Sequence, residues 1–259
     1  MIEFLTWFGI AIIPIFMIID TIQGARKYRT PKYWKLRGIM VTISVLIISI
    51  FIGTALEGIF SGIALFDNSD LPVPLGALLG IITYNFFHYW YHRTVHTFDG
   101  LFFKFHQMHH SAEGIDSFSA YYQHPLDVFS FTLILSFVFF PLLGLSLEAG
   151  LIGIAFGGFA AMFQHVNINT PQWIGYFIQR PESHSIHHQR GLHAYNYADL
   201  PLMDIIFGTF RNPKSGEYPE AGFYNGASTR IPEMLIFRDV TRDQKDDTKK
   251  TIISNEAGI

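Results

Sequence analysis

Uncharged apolar runs alternate with short polar stretches along the first two thirds of the chain. Phe4 to Ile19 carries no charged side chain and, at 1.5 Å per helical residue, nearly spans a hydrocarbon core of about 30 Å. Gly38 to Leu56 and Leu71 to Phe87 are further runs; Val128 to Leu147 and Ala149 to Gln164 complete the set, broken only by Glu148. The break around Pro141, Gly144 and Glu148 predicts a hairpin tip. That pair reads either as two full spans or as a hairpin entering the bilayer part way. From Asn167 onward there is no long apolar run. The pattern therefore predicts an all-α integral membrane helical bundle of about four or five membrane-embedded helices, with a histidine-rich helical cap outside the bilayer. Its parts divide into N-terminal helices with a basic loop (1–70), a central region with a membrane hairpin at about 128–164 (71–212), and a polar C-terminal tail (213–259). Within that tail Arg238 to Lys250 is charged and reads as loosely ordered.

Charge sets the orientation. Thr21 to Gly38 holds Arg26, Lys27, Arg29, Lys32, Lys35 and Arg37 with no acid, which keeps such a loop cytoplasmic, whereas Glu57, Asp67 and Asp70 fall on the far side. The start Met1-Ile-Glu3 lacks the basic region of a signal peptide, so the first run reads as a retained anchor. In this multi-pass topology every histidine cluster lies at, or just beyond, the cytoplasmic end of an apolar run. The absence of a Lys-rich retrieval signal at Asn255–Ile259 points to a bacterial inner membrane rather than the endoplasmic reticulum.

Composition narrows the chemistry. Only 15% of residues are charged, against about 25% in soluble domains. A net charge of −3 without a basic stripe argues against a nucleic-acid partner. With no cysteine, disulfides, thiolate catalysis, iron–sulfur clusters and cysteine-bound zinc are excluded. The 12 histidines remain.

They fall into three blocks: His88, His92 and His96; His106, His109 and His110; His184, His187 and His188. His165 and His193 stand near the third, and His124 stands apart. Residues at i and i+4 share a helix face, which lets His92 and His96 point at one metal ion. In each H-x-x-H-H block the adjacent pair diverges by about 100° on a helix, so one block can serve two ions. Random placement of this histidine content would give that block about 0.03 times; it occurs twice. An all-imidazole donor set suits zinc, copper, iron or nickel. Eight or nine donors are too many for one ion; two fit. A nitrogen-ligated metal pair at a bilayer edge points to oxidation of a lipid-like substrate. A membrane zinc hydrolase is one alternative, but it needs a carboxylate base, as in H-E-x-x-H, and no block contains one. A haem-binding electron-transfer membrane protein is another, and it would place single histidines mid-span.

The chain resembles the membrane fatty acid hydroxylase/sterol desaturase superfamily in Tyr89-Trp90-Tyr91-His92-Arg93-Thr94-Val95-His96 and in His106-Gln107-Met108-His109-His110-Ser111. The likeness continues through Gln164-His165-Val166-Asn167, Pro181 to His188, and Asn196 to Phe210, in matching order over roughly residues 80 to 212. The resemblance implies a catalytic region over 71–212 and an oxidoreductase, a non-haem di-iron, O2-dependent hydroxylase or desaturase. Its substrate would be a sterol, fatty acyl chain, ether lipid or carotenoid. It implies His92, His96, His106, His109, His110, His165, His184, His187 and His188 as ligands of two iron ions, which zinc can replace in purified protein. Asn196, Asp199 and Asp204 are candidates to orient ligand rings, and His193 to ligate or orient. Relatives often carry an aspartate where this chain has Asn85, and His88 is the candidate substitute, as extra ligand or partner. Asp127 and Glu113, between the blocks, are also candidates to orient ligand rings, but a solvated surface role is the favoured reading. No nucleotide-binding glycine motif opens a helix, so electrons would come from an external cytochrome, ferredoxin or pterin.

Overall fold

Backbone shielded from water must satisfy its own N–H and C=O groups, and the apolar runs accordingly fold as helices. The computed structural model describes residues 2–192, 194–214 and 218–243. Among these there is no strand, only an isolated bridge between Gln189 and Ala221. α1 spans Ile2–Gln23, α2 Trp34–Phe60 and α3 Val73–Thr97. Among the described residues three helices are long and apolar enough to cross a membrane, namely Trp34–Phe60, Pro125–Leu142 and Leu147–His165; Trp7–Gln23 is a shorter apolar helix. The Leu71–Phe87 run is not isolated as a helix of its own. It forms the first part of α3, which continues unbroken through His88, His92 and His96.

The hairpin forms where the sequence break predicts it. α6, Pro125–Phe137, widens into a π-helical turn at Val138–Leu142 that contains Pro141, and α7 begins at Leu147 and runs to His165. Gly144 sits at φ +58, and a Cβ there would lie 2.1 Å from the Phe66 carbonyl oxygen, so the tip admits only glycine. Ser146 caps α7 by accepting a hydrogen bond from Ala149 N–H. Glu148 therefore belongs not to the loop but to the first turn of α7, at the positive end of the helix dipole.

α7 packs against α1 and α3, and α2 against α6. The closest approach is built on glycine. A Cβ on Gly80 of α3 or Gly153 of α7 would fall 2.4 and 2.3 Å from the Phe139 ring, so both helices close on that ring because neither has a side chain there. Beyond α3 the chain forms α4 (Asp99–Leu101), a π-helical turn (Phe102–His106) and α5 (Gln107–His110) in direct succession. After α7 come the short helices α8 (Pro181–His187), α9 (Leu202–Ile206) and α10 (Ile231–Leu235).

Two expectations need correcting at the cap. Glu113 is not a solvated carboxylate. It is buried, and it accepts hydrogen bonds from Gly226 N–H, Ser228 N–H and the Ser228 hydroxyl. Much of the chain after 213 also packs back on the cap: Met234 and Val240 are fully buried in a core with Trp34, Met108 and Tyr122. The Gln107 amide fixes this return by donating to the Arg238 carbonyl and accepting from Val240 N–H. The rest of the stretch read as loose, from residue 244 on, lies outside the described residues.

Candidate metal centre

The C-terminal half of α3, the π-turn with α5, the end of α7, and α8 bring nine buried histidines together. His92, His96, His106, His110 and His187 form one group, and His109, His165, His184 and His188 a second. Within each group the candidate donor atoms lie within 4.8 Å of one another. The helical period explains the partition. His106 and His110, at i and i+4, enter the first group while His109 turns into the second. The third block repeats this in reverse, with His184 and His188 in the second group and His187 in the first. The groups meet where the His110 and His188 rings stack at 4.2 Å.

Hydrogen bonds on the far sides of the rings identify which nitrogens face inward. His92 Nδ1 lies 2.7 Å from the Tyr197 carbonyl oxygen, His187 Nδ1 2.9 Å from that of Tyr195, and His165 Nδ1 2.8 Å from that of Ala161. His106 Nδ1 is 2.7 Å from a carboxylate oxygen of Asp127. These oxygens only accept, so each Nδ1 carries the hydrogen and each Nε2 presents a lone pair. Yet His92 Nε2 and His106 Nε2 stand 2.9 Å apart, lone pair to lone pair. The second group shows the same close spacing: His165 Nε2 lies 3.3 Å from His109 Nε2 and 3.2 Å from His184 Nε2, itself 3.0 Å from His188 Nε2. Two neutral imidazoles cannot hydrogen-bond through two lone pairs, whereas a cation between them is attracted to both. Metal–nitrogen bonds of about 2.1 Å at right angles would set the nitrogens about 3 Å apart. The donor set fits two transition-metal ions.

Protonation favours the same occupant. Burial, reinforced by neighbouring imidazoles, holds His109, His110, His184 and His188 well below the ordinary histidine range, in the neutral form that a metal requires.

The remaining candidates surround these groups. Asp204 accepts from Tyr197 N–H, Ala198 N–H and the Thr209 hydroxyl, and so fixes the loop whose Tyr197 carbonyl orients His92. Asn196 pins the same loop, donating to the Ser183 and Arg211 carbonyls and accepting from Arg211 N–H. Tyr195 and Asn196 both have positive φ, 70 and 53. For tyrosine this costs about 1–3 kcal/mol, and the turn directs the Tyr195 carbonyl at His187. Asp204 and Asn196 thus act by fixing the loop whose Tyr195 and Tyr197 carbonyls orient the rings, not on the rings directly. Asp199 accepts from the Gln164 amide and lies 3.2 Å from His88 Nδ1. His88 belongs to neither group; it stands one turn below His92, with the rings stacked at 5.7 Å. Asn85 takes the Leu200 N–H and donates to Ile81, a structural role tying α3 to the 195–200 loop. His124 caps α6 by accepting from Leu126 N–H. His193 lies outside the described residues.

Asp127 is the residue that sequence reasoning misplaced. Rather than facing solvent, it is completely buried and accepts from both His106 and the Tyr91 hydroxyl. Its position 21 residues after His106 follows no helical spacing. The available signal was its place in the first turn of a helix opening at Pro125, directly after the lone His124.

A second buried carboxylate supplies a pH prediction away from the histidines. Burial pushes the Asp116 carboxyl up to about 7, against opposing hydrogen bonds from Trp34 Nε1 and Phe118 N–H; Asp20 adds to the rise and Lys35 offsets it. In the unfolded chain that carboxyl ionises near the ordinary value of about 3.9. Its contribution to stability is therefore complete below about pH 4 and is lost as pH rises to about 7. Asp116→Asn does not ionise, so the Tm of the variant minus that of the wild type should climb across this window in detergent. A difference independent of pH would contradict the assignment.

Fold and site together define an all-helical membrane protein whose bundle carries a buried, histidine-lined centre. The family model described as Fatty acid hydroxylase matches residues 77–209, about half the chain. The chain belongs to that family, within the membrane fatty acid hydroxylase/sterol desaturase superfamily. It is also 29% identical over 140 residues to the human (Homo sapiens) alkylglycerol monooxygenase, an alignment covering 52% of this chain and 29% of that protein. No solved structure matches the chain significantly.

Proposed function

We propose that the protein is a membrane-bound, di-iron, O2-dependent oxidoreductase that hydroxylates a lipid-like substrate, with the nine grouped histidines as ligands. The observation that carries this reading is the convergence of imidazole lone pairs into two buried groups at the end of an apolar bundle. The bound metal pair would supply activation of O2, so that a C–H bond, O2, two electrons and two protons yield an alcohol and water. Family membership and the likeness to a monooxygenase favour hydroxylation over desaturation, and they make an alkylglycerol ether lipid the first substrate to test. The electrons come from a separate cytochrome, ferredoxin or pterin.

The chain's own residues prepare the reaction. Tyr195 and Tyr197 carbonyls and the Asp127 carboxylate hold His187, His92 and His106 with their Nε2 atoms inward. Such outer partners fix the tautomer and raise ligand basicity. The Phe131 ring stands edge-on to His88, Tyr91 and His92, and Phe102 covers His96 and His110, which keeps water away from the groups. A hydrolase would need a carboxylate base beside the ligands, and Asp127, the carboxylate bonded to a ring of the first group, is engaged by His106 and Tyr91.

The test supplies membranes containing the protein with a 1-O-alkylglycerol, a reductant system and 18O2. The expected result is about two irons per chain and one 18O gained by the lipid. Zinc as the only bound metal together with hydrolysis, or no oxygen gained by any lipid, would overturn the reading.

A further inference from the structure

An apolar groove of about 390 Å³ runs beside the first histidine group, between α3, the π-turn before α5, and α6. Phe87, Trp90, Tyr91, Val95, Phe105 and Ile134 contribute to its walls, and no charged side chain lines it. Its burial is graded. Trp90 at the mouth is 39% exposed, whereas Val95 at the inner end is 2% exposed. Three inner-wall residues directly precede members of the first group: Tyr91 before His92, Val95 before His96 and Phe105 before His106. Adjacent helical residues point about 100° apart, so the groove flanks the histidine face of α3 instead of lying on its opposite side.

The groove also joins two environments. Phe105 belongs to the cap, whereas Ile134 lies nine residues into α6, about 13 Å along the axis of a helix long and apolar enough to span a membrane. The one polar group of Tyr91 is turned away from the groove and donated to Asp127, which leaves its ring as wall. A hydrocarbon chain moving from bilayer to cap along this path meets no charged side chain.

We propose that this groove takes the alkyl chain of the lipid substrate, admitted sideways from the bilayer past Trp90, with Tyr91, Val95 and Phe105 separating the seated chain from the first histidine group. The inference rests on the lipid-oxidation reading above and specifies where that substrate lies. At 390 Å³ the groove is at the small end of the range for ligand cavities, about 300–1,000 Å³, and suits a single chain rather than a fused ring system.

Photocrosslinking of the full chain in phosphatidylcholine nanodiscs tests it without turnover. The probe is a hexadecylglycerol ether with a diazirine at the chain terminus, and adducts are mapped by peptide mass spectrometry. Adducts are expected on the segment from Phe87 to Val95 and on Phe105 and Ile134. Thr94 lines the groove as Ile134 does; Thr94→Trp and Ile134→Trp, which fill it, should each lower that labelling at least about tenfold, equivalent to about 1.4 kcal/mol. Metal content and helicity should stay unchanged. Thr94→Val and Ile134→Ala, which do not fill it, should keep the labelling. Adducts spread over the outward faces of α1 and α2, or groove labelling indifferent to the tryptophans, would overturn the proposal. The two readings fail separately. Groove labelling without oxygen gained by any lipid sinks only the oxidation reading, and oxygen gain with adducts elsewhere sinks only the groove.

Discussion

His109→Ala is expected to leave the protein inserted and helical, to remove one of two bound metal ions, and to abolish measurable turnover. His109 is the sole contribution of the second histidine block to the group it shares with His165, His184 and His188. Its Nε2 lies 3.3 Å from His165 Nε2, and its ring packs 4.6 Å from that of His188. Alanine takes one of four donors from that group and leaves the first group whole. Loss of a mere outer partner of a ligand already costs about 10- to 100-fold in affinity or activity, so loss of the ligand should exceed about 100-fold. The helices long and apolar enough to cross a membrane do not include His109, so insertion should be unaffected. Elemental analysis of detergent-purified protein, read beside circular dichroism, decides the matter. Full metal content with normal turnover would remove His109 from the proposed ligand set.

The second large effect is expected at a residue that touches no metal. Asp127→Asn keeps the size of the side chain but removes the charge facing the His106 N–H at 2.7 Å and the Tyr91 hydroxyl at 3.0 Å. An amide oxygen can still accept one of these bonds, but its NH2 group cannot accept the other. The His106 ring loses both its orientation and part of its basicity. Metal affinity of the first group, or turnover, should fall about 10- to 100-fold. Tyr91→Phe, which leaves the carboxylate on His106, should cost much less. Metal titration of the two variants separates the cases, and equal behaviour of both would show that the charge of Asp127 does not act through His106.

The comparison of these two residues shows what was legible. Histidine spacing is a local property of a helix, so i and i+4 pairs and the divergence of adjacent residues could be read from the sequence. So could the apolar runs and the glycine–proline hairpin tip. The partners of the rings could not. Asp127 reaches His106 because α6 packs near α3, and Tyr195 and Tyr197 offer backbone oxygens that are the same in every residue type. Glu113 looked like a surface acid because nothing nearby in sequence needs it; its donors lie at Gly226 and Ser228. The return of the chain after 213 was hidden for a related reason. Met234 opens the run Met234–Phe237, four residues and too short to read as a core element, and Val240 stands alone among charged residues, yet both fill the space beneath Trp34 and Met108.

The splitting of each H-x-x-H-H block between the two groups has a mechanical result. The separation of the two centres is spanned by one helical turn in α5 and by one in α8, not by the gap between independently mobile helices. A change in bilayer thickness can tilt α2, which carries none of the grouped histidines, without stretching either turn. The pair is therefore carried as a unit, gauged by bonded geometry, while the surrounding bundle adjusts to the lipid.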